Sequence, residues 1–459
     1  MPTIVNTKVS LNKGRKRVWI EGEKLRREGI EAGQYYDLTV EGEQLVLTIN
    51  DFGARKVSRR KKGSIINPVI DLTASEVAEL FSDAQMIRVV IKDQQITICA
   101  HHKDKRIEER VSRLMHKLNN KEPLDVCSLF HGGGVLDAAI HDGLEQTGLK
   151  SRLAVAVEIE PEYLASSMRN NAFWDSKSIA IEGPIEAVNL GKSPAPASIL
   201  LAGLPCSGAS KSGRAKNKLQ FAESHDTAGA MFFRFLQFVQ AVNPTIIIIE
   251  QVPEFSDTAS MAVIRSVLGS LGYNLSERVF EGNEFGALEA RKRLCVVAMT
   301  EGLELLDLDS VEPLFQKPAT LNEILEPIPS DSERWKDLDY LAKKEVRDMA
   351  AGKGFKRQLL NASAEACGTI GRGYAKYRST EPFLKHPTDE KLSRLFTPLE
   401  HARVKCIPEK MIEGLSSTTA HEVLGQSIIF PVFQAVAAYL GKTLLRQFGT
   451  PYEQLPLAA

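Results

Sequence analysis

Cys206 lies in Gly203-Leu204-Pro205-Cys206-Ser207-Gly208-Ala209-Ser210, directly after the apolar run Ile199–Ala202. A short buried strand that ends in such a loop brings it to the carboxyl edge of a parallel sheet, where α/β proteins bind their ligands. A thiol in that position suits a nucleophile better than a core cysteine, because its anion can add to an electron-poor carbon. Four isoleucines, Ile246–Ile249, lead straight into Glu250-Gln251-Val252-Pro253. A carboxylate therefore emerges into the same crevice, where it can share a proton with a bound base. In Gly286-Ala287-Leu288-Glu289-Ala290-Arg291-Lys292-Arg293-Leu294 the two arginines are two residues apart, which puts Arg291 and Arg293 on one face of a strand's start.

A second constellation points to a cofactor. Ser128-Leu129-Phe130-His131-Gly132-Gly133-Gly134 follows an apolar run beginning at Asp125, and glycines between a strand and a helix let the backbone approach a nucleotide-like ligand. A glycine-rich turn with no ligand has the same composition. The next apolar run ends Val157-Glu158-Ile159-Glu160, and an acidic side chain at that point accepts hydrogen bonds from ribose hydroxyls. Together the two segments suggest an adenosine-containing cofactor.

The elements that must position these residues are short apolar runs at Asp125–Phe130, Leu153–Val157, Ile199–Ala202, Thr245–Ile249 and Leu294–Ala298, with helical stretches between them. This pattern predicts an α/β fold: a doubly wound, mostly parallel, Rossmann-like sheet covered on both faces. It places a catalytic domain at 121–304, an irregular Pro- and Gly-bearing domain at 305–390, and a return to the sheet at 391–459 with a last helix from Pro431 to Gln447. Residues 103–120 read as a connecting helix, with Ile107, Val111, Leu114 and Leu118 on one stripe. Residues 1–102 read as an α+β, β-barrel-like module in which a strand, a short helix and a hairpin occur twice. Between the copies, Arg55-Lys56-Val57-Ser58-Arg59-Arg60-Lys61-Lys62 is too charged to bury and is expected to be an exposed linker or a phosphate-contacting arm. Six scattered cysteines without a C-x-x-C pair argue against disulfides and a zinc site, so no metal is expected. Lys plus Arg and Asp plus Glu total 58 each, so any surface for a polyanion must be a local patch. No apolar run approaches a bilayer span and no secretory signal opens the chain, which leads to the expectation of a cytoplasmic protein without membrane contact.

Taken in order, these segments resemble the DNA (cytosine-5) methyltransferases: the F-x-G-x-G loop, the Pro-Cys loop, the Glu-Asn-Val strand and the Q-x-R-x-R strand. Arg394-Leu395-Phe396-Thr397-Pro398-Leu399-Glu400 with Arg403, and Gly425-Gln426-Ser427-Ile428, extend the resemblance over about 121–445. It implies a methyl donor, S-adenosylmethionine, and a flipped cytosine as acceptor. By resemblance Cys206 adds to carbon 6, Glu250 holds or protonates the ring nitrogen and Arg293 binds the ring oxygen, with Arg291 beside it. Phe130, His131, Gly132, Gly133, Gly134, Glu158, Ile159, Pro205, Met231 and Ser427 fall at donor-binding positions; for Phe130, Ile159 and Met231, core packing is an equal reading. Several family positions differ: Pro184 and Ser198 replace aspartates, Gln251 and Gln426 asparagines, and Ser207 and Glu289 glutamines.

Double-stranded DNA is the implied partner, bound by a monomer, with Lys211, Arg214, Lys216 and Lys218 after the nucleophile suited to phosphates. Arg372, Tyr374, Lys376, Tyr377 and Arg378 mix cations and aromatics in the way that reads base edges, so 305–390 is expected to be the target-recognition domain. Residues 6–100 loosely resemble the SpoVT/AbrB-type swapped-hairpin domains, with Lys13, Arg15, Lys16 and Arg17 as a second DNA-facing edge; a structural or partner-binding role is equally compatible. Two alternatives remain open at this level: methylation of transfer RNA, and a catalytically silent DNA-binding regulator. Retention of Cys206, Glu250 and both arginines argues against the second.

Overall fold

The computed structural model describes residues 2–81, 86–192, 196–205, 223, 229–353 and 355–449. Contacts divide the chain into two compact units, 1–109 and 110–459, the boundary falling within the helix His102–Asn119.

The larger unit is built on a seven-stranded sheet of β1 (Leu124–Leu129), β2 (Ser151–Glu158), β3 (Ile179–Glu182), β4 (Ile199–Gly203), β5 (Ile246–Gln251), β6 (Tyr273–Glu281) and β7 (Lys292–Thr300). Their order is β3-β2-β1-β4-β5-β7-β6; the first five run parallel, and β7 lies antiparallel to both β5 and β6. Because side chains alternate along a strand, each central strand serves two cores. Val126, Leu153, Ile199, Leu201, Ile246 and Ile248 face one layer, which contains α1 (Val135–Glu145) and α8 (Phe430–Phe448). Cys127, Leu129, Val155, Leu200, Ile247 and Ile249 face the other, which contains α3 (Met231–Val242) and α4 (Ala259–Ser270); α2 (Pro161–Asn170) follows β2. Ile246–Ile249 are almost wholly buried, and each contributes on the order of 1.5–3 kcal/mol relative to exposure. These four residues can be uniformly apolar only because both faces of the strand are covered.

The chain's last helix, α8, packs against its first catalytic helix, α1. A Cβ on Gly143 would lie 2.2 Å from the Gln434 carbonyl oxygen, so this crossing depends on a missing side chain. The helix His102–Asn119 contributes Leu114 and Leu118 to the same core, and Arg113 donates to the Ala197 carbonyl at 3.2 Å.

Between β7 and the C-terminal helices α6 (Pro398–Val404), α7 (Ser417–Gln426) and α8 lies an insert with α5 (Asp339–Ala350). It also holds a small sheet, ordered β8 (Lys336–Asp337), β11 (Leu392–Arg394), β10 (Pro382–Lys385), β9 (Gln358–Leu360). The insert's sheet runs to Arg394, a few residues beyond the expected irregular stretch. The edge strand β6 carries no apolar run, because much of it is only half-buried. No single helix among the described residues is long and apolar enough to cross a membrane.

In the smaller unit, the strands Arg15–Glu21 and Ile65–Leu72 pair antiparallel, Val18 opposite Leu72, in a four-stranded sheet. The hairpins Tyr35–Glu41/Gln44–Asn50 and Met86–Lys92/Gln95–Ala100 share a six-stranded sheet, joined with Ile96 opposite Leu47. The basic stretch is not a linker: Ser58–Lys62 is a fully exposed edge strand paired to Ile65–Leu72, which satisfies its backbone on one side.

Candidate active site

β1 gives way at Phe130 (φ 58°) to a turn in which Gly132 (φ 59°) and Gly134 (φ 76°) take up left-handed conformations, and α1 starts at Val135. Left-handed backbone in two of the three glycines explains their presence. Glu158, buried at the end of β2, accepts from the Gly132 N–H at 2.6 Å and from the Ile159 and Glu160 N–H groups at 2.9 Å each. Two carboxylate oxygens offer about four acceptor sites, so roughly one remains for a ribose hydroxyl. Ile159 is 61% exposed beside it, an apolar surface of the kind an adenine covers. The residues present fit an adenosine-bearing donor.

Across the sheet, β4 and β5 place Gly203 opposite Glu250. A Cβ built on Gly203 would lie 3.9 Å from Glu250 Oε2. The Glu250 carboxylate is ion-paired to Arg293 Nε at 2.7 Å, both side chains mostly buried at 12% and 14% exposure. Gln251 braces the following loop: its amide donates to the Leu204 carbonyl at 3.1 Å and accepts from the Val252 N–H at 2.6 Å. β5 thus sets the Glu250 carboxylate, and β7 the Arg293 guanidinium paired to it, next to the end of β4 that leads through Leu204-Pro205 to Cys206. Cys206 lies outside the described residues, as do Lys211, Arg214, Lys216 and Lys218. Burial pushes the thiols of Cys127 and Cys406 up to about 12 and about 11, and raises those of Cys295 and Cys367 as well. None of these four is poised as a thiolate.

The C-terminal segment closes the glycine turn. A Cβ on Gly133 would fall 2.6 Å from Val423 Cγ1 in α7, and the Gln426 amide lies within 4 Å of the Cβ position of Gly132. Ser427 follows at the end of α7, half-buried, and Met231 starts α3 packed against the core.

Several expected site residues point elsewhere. The His131 side chain is turned into the core, 3.0 Å from Ser128 Oγ, 3.1 Å from Asp137 Oδ2 and 2.7 Å from Ser167 Oγ; only its backbone remains for a donor. Arg291 is buried, donating to Glu289 at 3.3 Å, the Ile370 carbonyl at 3.2 Å and the Gly425 carbonyl at 3.0 Å. Its guanidinium braces the site from behind, whereas Arg293 meets Glu250. Tyr374 is a core residue, not a DNA contact: it is fully buried, and its hydroxyl donates to the Pro382 carbonyl at 2.8 Å and accepts from the Phe396 N–H at 2.9 Å. Arg372 pairs with Glu160 at 3.2 Å, Tyr377 is half-buried beneath Lys336, and Lys376 and Arg378 are exposed.

A sequence profile of the C-5 cytosine-specific DNA methylases matches residues 124–442, more than half of the chain and all the segments just described. The chain belongs to the C-5 cytosine-specific DNA methylase family. It is 29% identical over 251 residues to the type II methyltransferase M.NlaX of Neisseria lactamica, covering 54% of this chain and 76% of that one. To the type II methyltransferase M1.ScrFI of Lactococcus lactis subsp. cremoris it is 28% identical over 253 residues, 52% of this chain and 61% of the relative. Among solved structures, S. pombe Dnmt2 methyltransferase superposes with a TM-score of 0.54 at 20% identity, covering 71% of this chain and 99% of that one, a likeness of fold. As a C-5 cytosine methylase the chain is an S-adenosylmethionine-dependent DNA (cytosine-5) methyltransferase.

Buried Glu289 and Lys405, within 3.6 Å of each other, escaped the sequence reading as site residues. The only signal was that Glu289 departs from the family's glutamine, a charge in an apolar context that calls for a partner.

Proposed function

We propose that Cys206, Glu250 and Arg293 carry methyl transfer to carbon 5 of a flipped cytosine, and that the glycine turn with Glu158, Ile159, Gln426 and Ser427 holds the donor. The observation that supports this most is the Glu250–Arg293 pair beside the strand that leads to Pro205-Cys206. When bound, S-adenosylmethionine supplies an electrophilic methyl group on its sulfonium. The Cys206 thiolate adds to carbon 6, and the displaced ring electrons make carbon 5 nucleophilic. Glu250 protonates or holds ring nitrogen 3, while Arg293, already on the carboxylate, reaches the ring oxygen; both stabilise charge that develops on addition. Carbon 5 takes the methyl group as the donor's S–CH3 bond breaks and leaves a neutral thioether, a base then removes the carbon 5 proton, and expulsion of the Cys206 thiolate restores the aromatic ring. Arg291 acts here as a positioning residue.

Target recognition falls to the insert, where Lys376 and Arg378 are exposed, while the cations after Cys206 and the basic strands of the N-terminal unit serve as phosphate contacts that raise affinity without choosing sequence. Transfer to RNA and a silent regulatory role find no support in the family match. The test is incubation of the protein with labelled donor and unmethylated plasmid, followed by base-resolution mapping, for the wild type and Cys206→Ser. Transfer to cytosine carbon 5 that vanishes in the variant while donor binding persists is the expected result; undiminished methylation by the variant would overturn the mechanism.

A further inference from the structure

Three charged side chains meet where no solvent reaches: Glu289 and Lys405 are fully buried and Arg291 is 3% exposed. Lys405 Nζ lies 3.6 Å from Glu289 Oε2, donates to the Ser427 carbonyl at 3.2 Å and also donates to the Leu424 carbonyl. Glu289 Oε1 accepts from the Ile370 N–H at 2.9 Å and faces Arg291, which donates to the Gly425 carbonyl. Three carbonyls at the end of α7 are therefore held from one side by two cations, and those cations are gathered by one carboxylate on the approach to β7. The same stretch of α7 covers the glycine turn on its other side. Buried charges are costly unless they are paired and hydrogen-bonded. An apolar residue at 405 would fill the volume but take the donor from the Ser427 carbonyl and leave the Leu424 carbonyl with the Ser427 N–H alone.

We propose that Glu289 and Lys405 are positioning residues that fix Leu424–Ser427 as the wall of the donor pocket, keyed to the strand that carries Arg293. The inference rests on the reading of that pocket as the S-adenosylmethionine site. Burial, and then the neighbouring Arg291, push the Lys405 ammonium down to about 7, against the pull of Glu289. Lys405 therefore holds its place chiefly through donated hydrogen bonds, which both of its protonation states can make. His401 packs against the same cluster, its proton affinity lowered by burial and by Lys405. The family's glutamine at position 289 fits this account, since a neutral amide there requires only a neutral donor opposite.

The experiment compares full-length wild type, Lys405→Met, Glu289→Gln and the double variant Glu289→Gln/Lys405→Gln by calorimetric affinity for S-adenosylhomocysteine, with thermal melts to confirm folding. Lys405→Met is expected to bind at least about tenfold more weakly while remaining folded, Glu289→Gln to bind more weakly than wild type, and the double variant to recover affinity, because the two positions are coupled. Wild-type affinity in Lys405→Met, or a double variant no tighter than Glu289→Gln, would overturn the inference. Should Lys405→Met fail to fold, the two glutamine variants decide on the same criterion. A wild type that binds none would sink the pocket assignment itself, whereas one that binds alongside equally competent variants would sink only the positioning role.

Discussion

At the scale of single residues, Glu250 is held by Arg293 before any substrate arrives, so the pair presents a preformed polar edge to an incoming base. Glu250→Gln keeps the shape but can neither supply a proton nor hold the charge. Its turnover should fall by roughly 10²–10⁴-fold, with S-adenosylhomocysteine affinity unchanged; a wild-type single-turnover rate would remove Glu250 from the chemistry. A second expectation concerns acid. His401 and His421 face each other through their Nδ1 atoms at 3.0 Å, buried in the core beneath Tyr374, and burial pulls His421 down to about 4. Two neutral rings can share one proton there; two imidazolium rings would present donor to donor. Between pH 6.5 and 4 the unfolded chain therefore binds more protons than the folded one, and stability falls as pH falls, by about 1.4 kcal/mol per pH unit for this histidine. Urea unfolding at pH 7 and pH 5 should show a loss larger by about 2 kcal/mol in wild type than in His421→Gln. Equal losses would show that His421 takes up its proton without penalty. Cys206, Glu250 and Arg293 were legible in sequence because each follows or opens a short apolar strand. The histidine pair and Lys405 were not, because their partners lie roughly 20 to 116 positions away and only folding brings them together.

At the scale of elements, the central strands were readable because burial on both faces leaves no room for alternation. β6 escaped because an edge strand keeps one side near water, so its Asn, Ser, Glu and Arg residues look like loop. The glycine turn was readable from its composition, but the direction of its histidine was not; a one-residue change of facing turns a ligand contact into a core hydrogen-bond network. The insert read as irregular since its strands are two to four residues long and one of its small clusters joins Leu338 and Leu341 at the start of α5 to the distant Phe383 on β10. The crossing of α1 and α8 gives the clearest prediction at this level. Gly143→Ala would place a methyl group against the Gln434 carbonyl, the Ala437 side chain and the Ala438 backbone, atoms that cannot swing aside. Overpacking of this kind costs about 1–3 kcal/mol. A melting temperature equal to wild type would mean that the helices part freely at this crossing.

At the scale of the molecule, charge is balanced overall but unevenly placed. Lys13 and Arg15 at one hairpin and Arg59 and Lys61 on the edge strand are all exposed, within a chain whose totals cancel. Replacing all four by glutamine in the full-length protein should weaken duplex binding and flatten its salt dependence, by about 0.9 in log–log slope for each phosphate no longer neutralised, leaving the methylated sites unchanged. An unchanged slope would free this unit from a role on DNA, and a changed target sequence would make it a reader of bases. The organisation into a sheet with an insert and a returning helix could be anticipated from periodicity. That the boundary between the two compact units runs through the helix His102–Asn119 could not, since a stripe of Leu and Val looks the same whichever core receives it. The closure of the glycine turn by residues 423–427 also carries a consequence for how the protein is made. On a ribosome the turn, Glu158 and Glu250 emerge first, and the wall that completes the donor pocket follows only after the whole insert, a delay on the order of ten seconds or more at ordinary translation speeds. On the proposed site, a nascent chain tethered before residue 423 presents an open half-site, and donor binding is expected to begin only once α7 has emerged and packed on the glycine turn.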